Sequence, residues 1–245
     1  MIVAERKKLQ SIQARIDPFQ KILVVGCGGC VSVCLTGGEE QAEQLATELR
    51  LITRSDGSKW EVEFVSHTRQ CEQEFCEKVK DNVARADAVL SLACGCGVQL
   101  MADMYDPKPV FPAVNTTFMG TNIAKGVWFE TCSGCGDCAL GDTGGICPVT
   151  RCSKSLINGT CGGTNKGKCE VSDKLDCAWY LIYKRLKAWN RLDLYRKMKK
   201  PREWSREHGG GARYLIHKHL VEEQPSGGGW KGYVPVEKAE KPETK

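Results

Sequence analysis

The sequence has no long apolar segment and little net charge. Its longest mostly apolar stretch, residues 89–102, is interrupted by two glycines and a glutamine. It is therefore shorter than the roughly 20 apolar residues that a membrane-spanning helix needs. The net charge of +5 over 245 residues is too small to indicate nucleic-acid binding. No apolar segment with a small-residue cleavage site follows the N-terminal charges, so we expect a cytoplasmic protein with no membrane span and no nucleic-acid partner.

The usual catalytic signatures are missing as well. No Ser-His-Asp ordering and no glycine-rich phosphate loop is present, and the GCGGC segment at residues 26–30 lacks the GxGxxG spacing of a dinucleotide-binding turn. The four histidines are scattered among polar residues, where we expect solvent to surround them: His67, His208, His217 and His219. The sequence thus offers no candidate catalytic residues.

Cysteine, in contrast, is abundant. In a reducing cytosol the 15 cysteines indicate metal binding or redox chemistry before they indicate disulfides. The odd number also fits poorly with a framework in which every cysteine is paired.

Apolar patterns in the first half predict an α/β fold. Short apolar or alternating runs at 22–25, 61–65, 88–92 and 110–114 predict strands, and segments with helical spacing lie between them. Thr36 and Glu39 have the spacing of a capping box and predict a helix start. The alternation predicts a parallel, doubly wound sheet of the Rossmann or flavodoxin-like type over residues 21–128. Apolar residues at helical spacing in 2–16 predict a docking helix within a first segment, residues 1–20.

The second half has a different organisation. Eight cysteines fall within 46 positions between Cys132 and Cys177, with little apolar periodicity. Metal ligation must therefore replace a hydrophobic core in a small cysteine-rich metal-cluster module, which we place at residues 129–200 together with a final helix that begins near Asp173. The segment from Lys184 to Arg202 carries nine basic residues and one acidic residue, and it is either a solvated helix face or a docking strip for an acidic partner. Residues 201–245 are predicted to be an extended, mobile tail.

The spacing of the first cysteines in this module points to an iron–sulfur cluster. Cys132, Cys135 and Cys138 form a CxxCxxC run of the kind that holds a cubane cluster in ferredoxins. Cys147 precedes a proline, as in the ferredoxin motif, although with a longer gap. The remaining four cysteines complete a set of eight, enough for two [4Fe–4S] clusters: Cys152, Cys161, Cys169 and Cys177. Zinc at one site or both is the alternative, because four thiolates suit zinc equally well.

A second group of cysteines follows the predicted strands of the first half. Cys27, Cys30 and Cys34 come after the first strand, Cys71 after a later one, and Cys94 after another. Loops at the carboxyl ends of parallel strands converge in one crevice. One cluster held by Cys27, Cys30 or Cys34, Cys71 and Cys94 is therefore predicted, which would raise the number of clusters to three. The other two cysteines of this half, Cys76 and Cys96, are interpreted as small buried thiols that bind no metal.

Several segments resemble a known family. The stretch TGGICPVTRCSKSLINGTCGGTNKGKCEV, followed by DCAWYLIYKRL, is similar to the C-terminal methylenetetrahydrofolate reductase family. With VVGCGGCVSVC, RQCEQEF and LSLACGCGVQ, the chain resembles the small iron–sulfur subunit of the two-subunit enzymes of acetogenic anaerobes. The similarity extends from about Ile22 to Lys218. Cys96 has no counterpart in that pattern.

The resemblance implies an electron-transfer subunit that is not catalytic alone and does not bind folate. Its expected partners are a flavin-containing methylenetetrahydrofolate reductase large subunit and an electron-donor module or ferredoxin. Electrons passed to that flavin would reduce methylenetetrahydrofolate to methyltetrahydrofolate in one-carbon metabolism. Two alternatives remain open: a metal-stapled adaptor that tethers the catalytic subunit to a donor complex, and a crevice that binds a flavin of its own.

Overall fold

The structure is a computed structural model that describes residues 1–202 and residue 204. These residues divide into two compact units: residues 2–117, and Met1 together with 118–202 and 204. Within the described part of the chain, no helix is long and apolar enough to cross a membrane. The predicted tail lies outside the described residues except at positions 201, 202 and 204, and three of the four histidines lie outside them too.

The unit of residues 2–117 alternates strands and helices. Its elements are β1 (Ile2–Arg6), α1 (Leu9–Ile16), β2 (Lys21–Cys27), α2 (Cys30–Val33), α3 (Glu39–Leu51), β3 (Glu61–His67), α4 (Gln73–Glu77), α5 (Lys80–Arg85), β4 (Ala88–Ser91), α6 (Gly95–Tyr105), β5 (Val110–Pro112) and the first part of β6 (Val114–Ala124).

Four of these strands form the parallel sheet at the centre of the unit, in the order β3-β2-β4-β5. The central strand β2 is buried over its whole length after Lys21, because neighbours and helices cover a run of β-branched residues. Leu23 and Val25 pack with Val89 of β4 and Met101 of α6 in the core. The α/β fold with a parallel sheet is thus confirmed, and a doubly wound arrangement of its helices stays a prediction.

The prediction of one helix over residues 2–16 is wrong in its first half. Ile2–Arg6 form β1, which lies beside β6, and the hydroxyl of Thr117 donates to the carbonyl of Val3 at 2.8 Å. The β-branched residues Ile2 and Val3 favour a strand once a partner strand is available. The helix α1 begins only at Leu9 and buries Ile12 and Ile16.

The helix predicted after the first strand is present, with a different cap. α3 begins after Gly38 rather than after Thr36, and the side-chain oxygen of Gln41 accepts a hydrogen bond from the Gly38 amide at 3.0 Å. The capping interaction is therefore made by the third helical residue alone.

The other unit consists of short elements joined by long turns. After β6 it contains β7 (Val127–Cys132), a 3-10 turn (Leu140–Asp142), α7 (Pro148–Arg151), β8 (Lys168–Cys169), β9 (Ser172–Asp176), α8 (Ala178–Ala188) and α9 (Leu192–Arg196). The antiparallel pairs are β6 with β7 and β8 with β9. The start of the final helix is corrected: it begins at Ala178, because Ser172–Asp176 pair as a strand. Trp179, Ile182 and Leu186 of α8 are buried in the unit's apolar cluster.

Candidate metal centres

The first candidate centre lies at the carboxyl ends of the parallel strands. Cys27 is the last residue of β2, Cys94 caps the start of α6 after β4, and Cys71 lies between β3 and α4. Burial raises the pKa of Cys71, and its two neighbours Cys27 and Cys94 raise that pKa further. The three thiols are thus close enough for the charge on one to oppose ionisation of another.

Cys30 and Cys96 extend this group. Burial raises the pKa of Cys96, and Cys94 and, more weakly, Cys30 add to the rise. We refer to Cys27, Cys30, Cys71, Cys94 and Cys96 as the strand-end cluster. Sequence reasoning left Cys96 out, although its place in the first turn of a helix beside Cys94 was a usable signal.

Two further cysteines of this unit are buried and hydrogen-bonded to the backbone. Cys34 is buried, and its sulfur lies 3.1 Å from the Thr36 hydroxyl and 3.5 Å from the carbonyl of Val31. Cys76 is fully buried, and its thiol donates to the backbone carbonyl of Gln70 at 3.3 Å. Burial, with smaller effects from Cys71 and Cys27, raises its pKa to about 12. Such a thiol is inert.

His67 also differs from the sequence-based expectation. It is only partly exposed, and burial lowers its pKa although a hydrogen bond with the Arg69 backbone opposes the shift. It ends β3 in register with Cys27. The expected solvated histidine is therefore a partly buried imidazole, paired in the sheet with a residue of the strand-end cluster.

The second candidate region is the CxxCxxC loop, residues 132–138, which begins at the end of β7. Gly134 and Gly136 adopt positive φ angles of 69° and 81°, which only glycine adopts without strain. The Gly134 amide donates to the Cys132 sulfur at 3.4 Å. An amide aimed at a sulfur is the type of contact that stabilises negative charge on cluster ligands.

Cys147 immediately precedes α7. The guanidinium of Arg151 stacks over the ring of Phe129 in β7, 4.5 Å from its centroid. α7 thus packs against the strand that ends at Cys132, and Cys147 enters from the same helix. Cys147 thus begins the helix that packs against the strand leading into the CxxCxxC loop.

The remaining four predicted ligands surround one narrow pocket, which we call the cysteine pocket. Its lining includes Cys152, Cys161, Cys169 and Cys177. A hydrogen bond between Cys169 and the Ser153 hydroxyl, at 3.5 Å, lowers the pKa of this half-buried thiol. Four sulfur donors around one space match the ligand number of both a four-iron cluster and a zinc ion.

These donors would have to close onto a metal in order to bind it. Across residues 1–202 and 204, no group of three or more His, Cys, Asp or Glu side chains has the arrangement of a ready metal site. The chemistry of the donors nevertheless fits, because a cation would offset both effects that raise the pKa of Cys71, first its burial and then the neighbouring Cys27 and Cys94. Metal binding at such sites is coupled to local folding.

One comparison with known proteins finds a similarity to part of this chain. A family model described as "Methylene-tetrahydrofolate reductase C terminal" matches residues 111–205, which is less than half of the chain. No curated protein and no solved structure matches. The matched segment includes the CxxCxxC loop, Cys147 and the cysteine pocket, so the cysteine-rich part of this chain is related to the C-terminal region of methylenetetrahydrofolate reductases.

Proposed function

We propose that this chain is a cytoplasmic iron–sulfur electron-transfer subunit that passes electrons to the flavin of a methylenetetrahydrofolate reductase catalytic subunit. The observation that carries the proposal is the family match over residues 111–205, because that segment contains all eight cysteines of the second half. The strand-end cluster adds a further group of thiols at the carboxyl ends of the parallel strands.

The proposal assigns three groups of ligands. The first is Cys132, Cys135 and Cys138 with Cys147, which the packing of α7 on β7 supports. The second is the cysteine pocket, which its shared lining supports. The third is Cys27, Cys71 and Cys94 with Cys30 as the fourth thiol, which the mutual electrostatic effects of the strand-end cluster support. Cys34 is left out of the third group because its sulfur contacts Thr36 and the Val31 carbonyl.

A [4Fe–4S] cluster, when bound, takes up and releases one electron without a proton or a bond to substrate. The chain's own residues would hold each cluster by thiolate sulfurs and aim the Gly134 amide at Cys132. Amide donors of this kind would favour the reduced, more negative form of a cluster, and they would keep the thiolate ligands in place when the cluster gains or loses an electron.

The basic segment favours an acidic docking partner. Four basic side chains are exposed on α8, on α9 and in the segment that follows α9: Lys184, Lys187, Arg196 and Lys200. Lys197 and Lys199 contribute less, since their ammonium nitrogens lie 3.8 and 3.7 Å from Asp142 carboxylate oxygens. Opposite charge on a catalytic subunit or a ferredoxin-like donor would speed encounter.

Metal analysis of anaerobically purified protein tests the assignment. The intact chain is expected to contain iron and acid-labile sulfide in equal amounts, about four atoms of each per cluster. Cys135→Ala and Cys169→Ala should each remove about four iron atoms, and the double variant about eight, because they belong to different groups. Adding Cys161→Ala to Cys169→Ala should remove no more, because both residues line the same pocket.

Cys34→Ala is the matched control, since this thiol is buried and outside all three groups. It should keep the full iron content. Stoichiometric zinc without iron or sulfide would contradict the proposal and favour the metal-stapled adaptor. Full iron content in Cys135→Ala would remove Cys135 from the ligand set.

A further inference from the structure

The side chain of Gln70 is completely buried, with no exposed surface. It lies between β3 and α4, one residue before Cys71. A buried carboxamide has two N–H donors and an accepting oxygen, and each unpaired group would cost stability. The partners of its carboxamide therefore show which segments of the fold this side chain joins.

The side-chain nitrogen of Gln70, Nε2, contacts the end of β2. It donates to the carbonyl of Val25 at 2.9 Å and lies 3.2 Å from the carbonyl of Gly26. Gly26 is the residue immediately before Cys27. One side chain thus joins the loop that carries Cys71 to the strand that carries Cys27.

The oxygen of Gln70 holds the end of β4. It accepts a hydrogen bond from the hydroxyl of Ser91 at 2.6 Å, and Ser91 in turn accepts from the amide of Ala93 at 3.2 Å. Ala93 is the residue immediately before Cys94. The same carboxamide therefore reaches the third cysteine-bearing loop through one buried hydroxyl.

Close packing fixes the carboxamide in this position. A Cβ atom on Gly97 would come within 2.7 Å of the Cβ atoms of both Gln70 and Ala93. The first turn of α6 can approach Gln70 only because residue 97 is glycine. In addition, the Cys76 thiol donates a hydrogen bond to the backbone carbonyl of Gln70 at 3.3 Å.

We propose that Gln70 is a positioning residue that holds the residues preceding Cys27, Cys71 and Cys94 in one hydrogen-bonded network, so that the three thiols can close on a single metal centre. The proposal rests on the proposed function, which places a centre at the strand ends. Gln70 does not ligate the metal. It sets the separation of the loops that do, as outer hydrogen-bonding partners do in other metal sites.

The test measures how firmly the strand-end iron is held in the full chain. Gln70→Leu keeps the approximate size of the side chain but removes every hydrogen bond, and Ser91→Ala removes only the link toward Cys94. In competition with a ferrous chelator under anaerobic conditions, Gln70→Leu is expected to hold this iron about 10–100-fold more weakly, and Ser91→Ala less markedly so. The EPR spectrum of the reduced strand-end centre should also change, whereas the iron of the CxxCxxC loop and the cysteine pocket should stay bound.

Two reference variants separate the possible failures. Cys71→Ala defines which iron belongs to the strand ends, and Gln44→Leu, an exposed glutamine of α3, is the matched control that should behave as the wild type. If Cys71→Ala loses no iron, the strand-end centre itself is wrong. If Cys71→Ala loses iron while both Gln70→Leu and Ser91→Ala keep it at wild-type affinity with an unchanged spectrum, the positioning role of Gln70 is wrong. Should Gln70→Leu not fold, the single-link variant Ser91→Ala decides by the same criterion.

Discussion

Arg202 contacts a predicted cluster ligand directly. Its Nη2 atom donates to the Cys135 sulfur at 2.8 Å and also contacts the backbone carbonyl of Asp137. A positive charge beside a ligand sulfur stabilises the reduced, more negative form of a cluster. The contact joins the basic segment to the CxxCxxC loop within the same unit.

Removing that charge should lower the reduction potential of the centre at Cys135. For Arg202→Gln we expect the reduction potential to fall by about 50 mV. A hydrogen bond to a charged group contributes about 1.5–3 kcal/mol when buried and less where water screens it. For a one-electron centre, a tenfold change in the equilibrium constant corresponds to about 59 mV. Anaerobic redox titration followed by EPR measures it. Arg196→Gln, on an exposed arginine of α9, is the control, and equal potentials in the two variants would contradict the role of Arg202.

Single-residue roles were the hardest to predict from the sequence. The CxxCxxC spacing and the turn-forming glycines within it were readable, because both depend on local geometry. Gln70 gave no signal, since a glutamine in a polar stretch normally faces water and only the folded chain buries it. His67 was expected in solvent for the same reason, and the sheet register places it beside Cys27.

At the scale of elements, α8 organises the cysteine-rich unit. It begins directly after Cys177, and its residues Ile182 and Leu186 are fully buried. The Trp179 indole donates to the carbonyl of Leu156 at 2.8 Å, which ties the helix to the segment between Cys152 and Cys161. The unit therefore has a small apolar core in addition to its thiols.

Ile182→Ala should destabilise this unit by about 2–5 kcal/mol, because the change removes buried apolar contacts and leaves a cavity. Urea unfolding of the anaerobically purified protein, followed by tryptophan fluorescence, measures the loss. Lys184→Ala, an exposed change in the same helix, should alter the free energy of unfolding by less than about 0.5 kcal/mol. If the two variants unfold at the same urea concentration, metal ligation alone holds the unit.

Elements were predictable where the apolar pattern was strong. The buried strands β2 and β4 and the helix α3 lie where the sequence placed them. Pairing between distant segments was not readable: β1 needs β6 beside it, and the β6–β7 hairpin gave no clear alternation in the sequence. The late start of α8 has the same origin, since Ser172–Asp176 become a strand only by pairing with β8.

At the scale of the whole molecule, the chain has cysteine groups in each of its two units. The parallel sheet presents its thiols at strand ends, as expected from the convergence of such loops. The partition of the second-half cysteines could not be read from spacing, because only the folded unit brings Cys152 and Cys177 to one pocket. The predicted boundaries at residues 20, 128 and 200 stay predictions.

We propose that these thiols hold iron that changes oxidation state. The most direct measurement is low-temperature EPR of the anaerobically purified full chain before and after dithionite, with metal content determined on the same sample. We expect a brown protein whose reduction produces signals of reduced four-iron clusters, with more than one cluster per chain. A colourless protein that contains only zinc and gives no signal after dithionite would contradict it.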